Sequence, residues 1–161
     1  MIGLGAVARV VPHPWNFTPM LALGLYAGAK SAKLLTGVLV TLAALMLSDA
    51  VLGFSRDAFF VYPAWLIPVL VGRWIHRAES VGTIAAGALF SSLSFFLITN
   101  AGTWAMTNYY PHTMAGLTTC FAAGVPFYRN QLLGDAVYTL ALFGGHAVLS
   151  RLARPALKPA H

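Results

Sequence analysis

The feature that most constrains this chain is its succession of long apolar runs. From Leu34 to Phe54 the one ionisable side chain is Asp49, and from Val81 to Trp104 there is none. A helix needs about 20 apolar residues to cross the hydrocarbon core of a bilayer. Helices suit such runs in lipid because each one satisfies its own backbone. Composition agrees: 58% of the residues are hydrophobic and 9% are charged, against about 25% charged in a soluble domain. Too few charges remain to wet a globular surface. The expected fold class is an all-α, polytopic transmembrane helix bundle.

The net charge is +6, and its placement argues for membrane orientation. The basic residues sit between apolar runs and are not interleaved with stacking aromatics, so a nucleic-acid partner is not expected. Cys120 is the lone cysteine, which excludes an internal disulfide and a Cys-x-x-Cys metal pair. The N-terminus lacks a charged region followed by a cleavage site, so no removable signal peptide is expected.

Met1 to Val11 is apolar but short, and Pro12-His13-Pro14 breaks it. Phe17 to Ala29 follows, closed by Lys30 and Lys33. Leu34 to Phe54 is a full span. Phe59 to Ile75 is another, with Pro63 and Pro68 predicting a kink. Val81 to Trp104 is a fifth. Met114 to Phe127 is short and ends at Pro126, and Leu132 to Leu149 is the last clear span.

Charge arbitrates the topology. If Met114 to Phe127 does not cross, then Lys30, Lys33, Arg73, Arg77, Arg151, Arg154 and Lys158 share one side, leaving Arg9, Arg56 and Arg129 toward the other. Seven against three assigns the first side to the cytoplasm. The expectation is therefore about six spans, both termini cytoplasmic, in the cell's inner (plasma) membrane. Residues 113–127 form an extra short helix, re-entrant or on the outer surface. Residues 1–150 make a single transmembrane domain and 151–161 a loose cytoplasmic tail. Eleven residues of first helix rise about 16 Å, half of the core, so that helix either starts deep in the protein or is cut short.

Under this topology the unusual polar residues share the outer end. His13, Asn16 and Thr18 open the second span. Ser48 and Asp49 lie near the outer end of the third, and Thr99, Asn100 and Trp104 close the fifth. Tyr109 and His112 sit in the next loop. Arg129 and Asn130 begin the sixth span, and Asp135 lies within it. A carboxylate in a span costs roughly 2.5–3.5 kcal/mol on insertion scales and normally faces a partner or a wet cavity. Arg9 and Arg129 are the candidate partners of Asp49 and Asp135. Two readings stand: a polar pocket that binds a small solute, or ion pairs that lock helix packing.

Each remaining residue has a plainer reading. Asn16 opens N-F-T-P as a helix start, and Asn130 suits an N-cap. Trp104, Tyr109 and Tyr110 suit an interfacial aromatic belt. His13 and His112, with or without Cys120, lack the spacing of a metal site. His76 is read as facing headgroups, and His146 as packing or bonding to a backbone carbonyl. No catalytic or nucleotide motif is present, so an enzyme is not expected. Small pairs at Gly24/Gly28, Gly82/Ala86, Gly87/Ser91 and Ala141/Gly145 predict close helix approach.

The stretches P-H-P-W-N-F-T-P at 12–19, S-D-A-V-L-G-F at 48–54, F-F-L-I-T-N-A-G-T-W at 95–104 and P-F-Y-R-N-Q-L-L-G-D at 126–135 resemble an uncharacterised family of small prokaryotic membrane proteins. Its members often carry further apolar sequence before the first motif. In architecture the chain also resembles the substrate-binding S components of energy-coupling-factor transporters. Those are six-helix proteins whose outer loops close over a micronutrient. The corresponding loops here are 12–16, 55–58 and 105–129, bordering the polar cluster. The Ala-x-x-x-Ala docking face of the S components has no clear copy in the short first helix.

The resemblance implies a membrane solute-binding or uptake protein, with lipid, a small solute and an energy-coupling membrane partner around it. Asp49, Asn100, Arg129, Asp135, Asn16, His13 and Trp104 are the expected substrate-binding residues. The alternative is a structural subunit of a larger membrane complex.

Overall fold

The computed structural model describes residues 14–54 and 57–153, with Gly3 and Val7 besides. The expected span Met1 to Val11, His13, Arg9, Arg56 and the tail beyond Ala153 lie outside the described residues, those two apart. Everything described is helix, turn or loop.

The centre of the bundle is a short helix, Met20–Lys30 (α1), entered through Pro19. Nine of its eleven residues are buried, so a segment too short to cross is held within protein. Leu34–Leu52 (α2) packs back along it, and Gly53 ends α2 with a φ of 93°, a left-handed conformation that glycine adopts at little cost. Thr41 donates to the Gly37 carbonyl at 2.9 Å and Ser48 to Leu45 at 2.8 Å, so both buried hydroxyls are satisfied inside their own helix.

The next span, Ala58–Ile75, is interrupted as its prolines predict. Ala58–Ala64 (α3) stops at Trp65, and Leu66–Ile75 (α4) resumes. Pro68 lacks an N–H and its ring crowds the carbonyl four residues back, which is Ala64. Pairs such as Gly24 with Pro68 and Ala29 with His76 show α1 and α4 running parallel. Their backbones touch: a Cβ on Gly28 would lie 2.0 Å from the Val69 carbonyl oxygen, and one on Gly72 would lie 2.0 Å from that of Leu25.

Cations gather where α1 and α4 end. Lys30 binds both Glu79 oxygens at 2.7 Å. Arg73 donates to the Ser31 carbonyl at 3.3 Å, and His76 Nδ1 lies 2.7 Å from that of Ala29. His76, exposed at its helix end, thus serves a carbonyl at the C-terminus of α1. Close approach is realised at Gly24, Gly28 and Gly87, whereas Gly82 and Gly145 meet open space or a single distant atom.

Val81–Met106 (α5) starts from a capping box, Ser80 with Thr83. A turn over 107–113 leads to Met114–Thr139 (α6), whose N-cap Thr113 accepts from the Gly116 N–H at 3.1 Å. A π turn, Leu140–Gly144, joins α6 to Gly145–Leu152 (α7).

Here the structure corrects the sequence reading. Met114–Leu152 is one continuous stretch of 39 helical residues, so 113–127 is no separate re-entrant or surface helix. Asn130 lies inside α6 and does not cap it. Pro126 removes one backbone hydrogen bond from a long helix that pairs with α5 along its length, which the helix survives. At about 1.5 Å per residue the stretch is nearly twice as long as a hydrocarbon core is thick.

Four helices are long and apolar enough to cross: Leu34–Leu52, Ala58–Ile75, Val81–Met106 and Met114–Leu152. With the short buried α1 they make five helices among the described residues, not six spans. Because Met114–Leu152 runs in one piece from the 107–113 turn back past Lys30, Arg151 lies at the end that holds Lys30, Lys33, Arg73 and Arg77.

Candidate polar cavity between α5 and α6

The α5–α6 seam carries the chemistry. On α6, Gln131, Asp135 and Thr139 recur at intervals of four, and all three are buried, so one face of the helix is polar from its middle downward. Across from it, α5 supplies buried Ser91 and Ser92. Gln131 Nε2 donates to the Ser92 carbonyl at 2.9 Å and to Ser92 Oγ at 2.8 Å.

Toward the Thr113 end the seam opens into a cavity of about 180 Å³. Its polar lining is Asn16, Thr99, Asn100, Thr103 and Gln131, with the rings of Phe96 and Phe127 and the backbone of Gly124. Local structure explains the space. Gly124 presents no side chain where α6 passes Asn100; a Cβ there would lie 2.4 Å from Asn100 Oδ1. Asn16 has a φ of 61°, a left-handed turn that asparagine tolerates better than most residues. That turn brings the chain entering α1 to the cavity mouth. Phe96 is held by Tyr128 and Phe121, with ring centroids 4.6 and 5.6 Å away.

The hydrogen-bond directions give the cavity its character. Asn100 Nδ2 donates to the Phe96 carbonyl at 2.8 Å, and Thr99 donates to that of Phe95 at 2.8 Å. Gln131 spends its amide hydrogens on Ser92. The donors of Thr99, Asn100 and Gln131 are therefore turned into α5, and the side-chain carbonyl oxygens of Asn100 and Gln131 make no hydrogen bond to a described residue. The lining carries no formal charge.

The expected site residues divide. Asn16 and Asn100 line the cavity. Asp135 lies one turn below Gln131, with 4% of its surface exposed and neither oxygen hydrogen-bonded among the described residues. The Ser92 hydroxyl lies close by, yet it accepts from Gln131 and makes no hydrogen bond to the carboxylate. Arg129 is exposed and makes no ion pair with Asp135.

Asp49 is not in the cavity; it is buried in α2 and accepts from the Tyr62 hydroxyl at 2.6 Å. Trp104 secures the 107–113 turn: its Nε1–H donates to the Pro111 carbonyl at 3.0 Å and its ring meets that of His112. The loop expected over 105–129 shrinks to that turn. Cys120 packs against the Asn100 carbonyl with Sγ at 3.4 Å, and no group of metal-binding side chains occurs among the described residues. His146 packs against the Tyr26 ring, with centroids 5.8 Å apart, and pairs with its hydroxyl at 2.8 Å.

Sequence reasoning missed Gln131, Thr103 and Phe96. The signal was present: Gln131, Asp135 and Thr139 keep helical spacing, and Thr99, Asn100 and Thr103 make one cluster a turn wide. Treating Asn130 as a helix start put Gln131 in a first turn, apart from the polar face it begins.

At Asp135 the seam widens into a second, apolar cleft of about 650 Å³, which Asp135 itself helps to line with Thr139, Phe143 and Glu79. Thr139 Oγ1 and Ser91 Oγ have no hydrogen-bond partner among the described residues.

The fold and its apolar spans define a polytopic helical membrane protein. The chain belongs to the family of unknown function DUF6580, which matches residues 1–157. No curated protein and no solved structure matches it.

Proposed function

We propose that this protein captures a small polar solute in the cavity between α5 and α6. The observation that carries the reading is a built space of about 180 Å³ with hydrogen-bonding capacity left unspent inside a membrane bundle. Buried polar groups in lipid are costly unless satisfied. A bundle that served packing alone would close this seam, as α1 and α4 close theirs backbone against backbone.

The cavity opens toward the 107–113 turn, and we assign that end to the outside. Lys30, Lys33, Arg73, Arg77 and Arg151 gather at the opposite end, which supports a cytoplasmic placement of that end by the positive-inside rule. In this reading the protein is an S-component-like uptake protein of the inner membrane. A membrane partner or an ion gradient supplies the energy.

Native mass spectrometry of the purified protein tests the proposal. Wild type is expected to retain a small molecule that Gly124→Ala loses, because the added methyl group displaces the Asn100 amide while its flexible tip lets the helices stay in place. A spectrum of bare wild-type protein, unchanged when the membrane extract is added back, contradicts the proposal.

A further inference from the structure

We propose that the apolar cleft is a lipid site: one acyl chain of an anionic phospholipid lies between α5 and the α6–α7 stretch, with its phosphate at the basic mouth. The inference does not depend on solute capture in the polar cavity above.

The cleft has the depth of one leaflet. α5 supplies one wall from Ser80 to Leu89, and the stretch from Leu132 to Ala147 supplies the other. Nine residues of helix rise about 14 Å, close to half of a hydrocarbon core about 30 Å thick. Ala85, Leu89, Ala136 and Leu140 are exposed, so the cleft opens sideways to the bilayer. The side-chain oxygens of Asp135 and Thr139 are buried, so these two residues do not make the walls polar. Spread over that length, 650 Å³ gives a section of roughly 50 Å², whereas a helix about 10 Å across fills about 80 Å². The space takes a hydrocarbon chain more readily than a helix of a partner protein.

Apolar walls alone select nothing in a bilayer, where lipid tails are as apolar as the side chains. The mouth selects. Glu79 and Ser80 line it, and the Glu79 charge is spent on Lys30, which binds both of its oxygens. Lys30 Nζ also lies 5.9 Å from the centroid of the Phe143 ring, which places that neutral pair against the cleft. Arg151 is exposed and stands one turn beyond Ala147, on the helix face that lines the cleft. Across from it α5 begins. Ser80 Oγ takes the Thr83 N–H, while the N–H groups of Val81 and Gly82 have no partner among the described residues. A Cβ on Gly82 would meet only Ser80 Oγ, at 3.8 Å, so the first turn is open to a ligand. Free N–H groups and the positive end of a helix dipole suit phosphate oxygens. A mouth with a cation in excess favours a headgroup of net negative charge over a zwitterion, whose own cationic end would meet Arg151.

The test is native mass spectrometry of the full chain in detergent, stripped of lipid and titrated with dioleoyl phosphatidylglycerol or dioleoyl phosphatidylcholine. One phosphatidylglycerol is expected to bind at least tenfold more tightly than phosphatidylcholine. Ala136→Phe, which sets a ring into the cleft from an exposed position, should weaken it at least tenfold. Ala86→Phe, equally exposed on α5 but outside the cleft, should not. Arg151→Glu should bring phosphatidylglycerol down to the level of phosphatidylcholine. Gly124→Ala, which alters the upper cavity, should leave lipid binding as it is, so this inference and solute capture fail separately. Melting temperatures of the lipid-free variants check that each is folded, and Ala85→Phe on the opposite wall replaces Ala136→Phe if that variant is not.

Equal affinity of the wild type for the two lipids overturns the inference, as does a preference that survives Arg151→Glu. Binding unchanged when the cleft is filled, or weakened as much by Ala86→Phe, removes the cleft as its seat. A lipid-free dimer that Ala136→Phe dissociates gives the cleft to a second copy of the chain and also overturns it.

Discussion

Two helix seams in this protein solve the same problem in opposite ways. Where α1 meets α4, Gly28 and Gly72 bring backbone against backbone, and the contact is dry and closed. Where α5 meets α6, the helices stand far enough apart to leave a polar cavity above and an apolar cleft below. The first seam spends its small residues on contact. The second spends Gly124 on space and lines it with amides and hydroxyls. The lesson is that glycine spacing alone does not say which outcome follows; what faces the glycine decides.

The largest expected effect breaks the first seam. Gly72→Ala places a methyl group on the Leu25 carbonyl, where nothing flexible can yield. Stability should fall by at least about 3 kcal/mol, read as loss of monodisperse protein or a collapsed melting temperature. Gly145→Ala, which meets nothing within 4 Å, should be neutral or stabilise by up to about 1 kcal/mol.

The two carboxylates sharpen the comparison through opposite signs. Asp135 lacks a hydrogen bond, so Asp135→Asn should stabilise the ligand-free protein by about 1–2 kcal/mol, by removing an uncompensated charge. Asp49 accepts from Tyr62, so Asp49→Asn should destabilise by about 1 kcal/mol. Melting curves of the two variants side by side decide the matter; the same sign for both would undo the assignment.

Gln131→Leu should cost about 1–2 kcal/mol, since it leaves the buried Ser92 hydroxyl without its donor. A smaller loss of stability is expected from Gly124→Ala, about 1 kcal/mol, because the Asn100 amide can swing aside. Its effect on solute retention should nonetheless be the larger of the two, which separates the cavity's role in binding from its role in packing.

Much of this was legible in the residues. Apolar runs between basic clusters give a helical bundle with its positive charge at one end. Pro63 and Pro68 announce the break near Trp65, and Gly24-x-x-x-Gly28 announces a close crossing. What misled was Pro126. In water a proline ends a helix readily, but within a bundle the lost hydrogen bond is small beside the packing along α5. Reading Pro126 as a stop turned one 39-residue stretch into a surface helix and a span. Asn16 and Asn100 were found in the sequence because polar residues in spans are conspicuous. Asp49 and Trp104 were equally conspicuous but are occupied by Tyr62 and Pro111, and no spacing rule shows partners on other elements. Gln131 was hidden because its meaning depends on Ser92, far away in the chain.

The central claim is that the α5–α6 seam is wet and open to one side while the α1 core is dry. Thiol labelling tests it most directly. In a Cys120→Ser background, single cysteines at Thr103 and Ala44 are exposed in intact cells to a small membrane-impermeant methanethiosulfonate. The account predicts rapid labelling at Thr103, slowed by the bound solute, and none at Ala44, whose side chain is fully buried. Equal protection of both positions would contradict it.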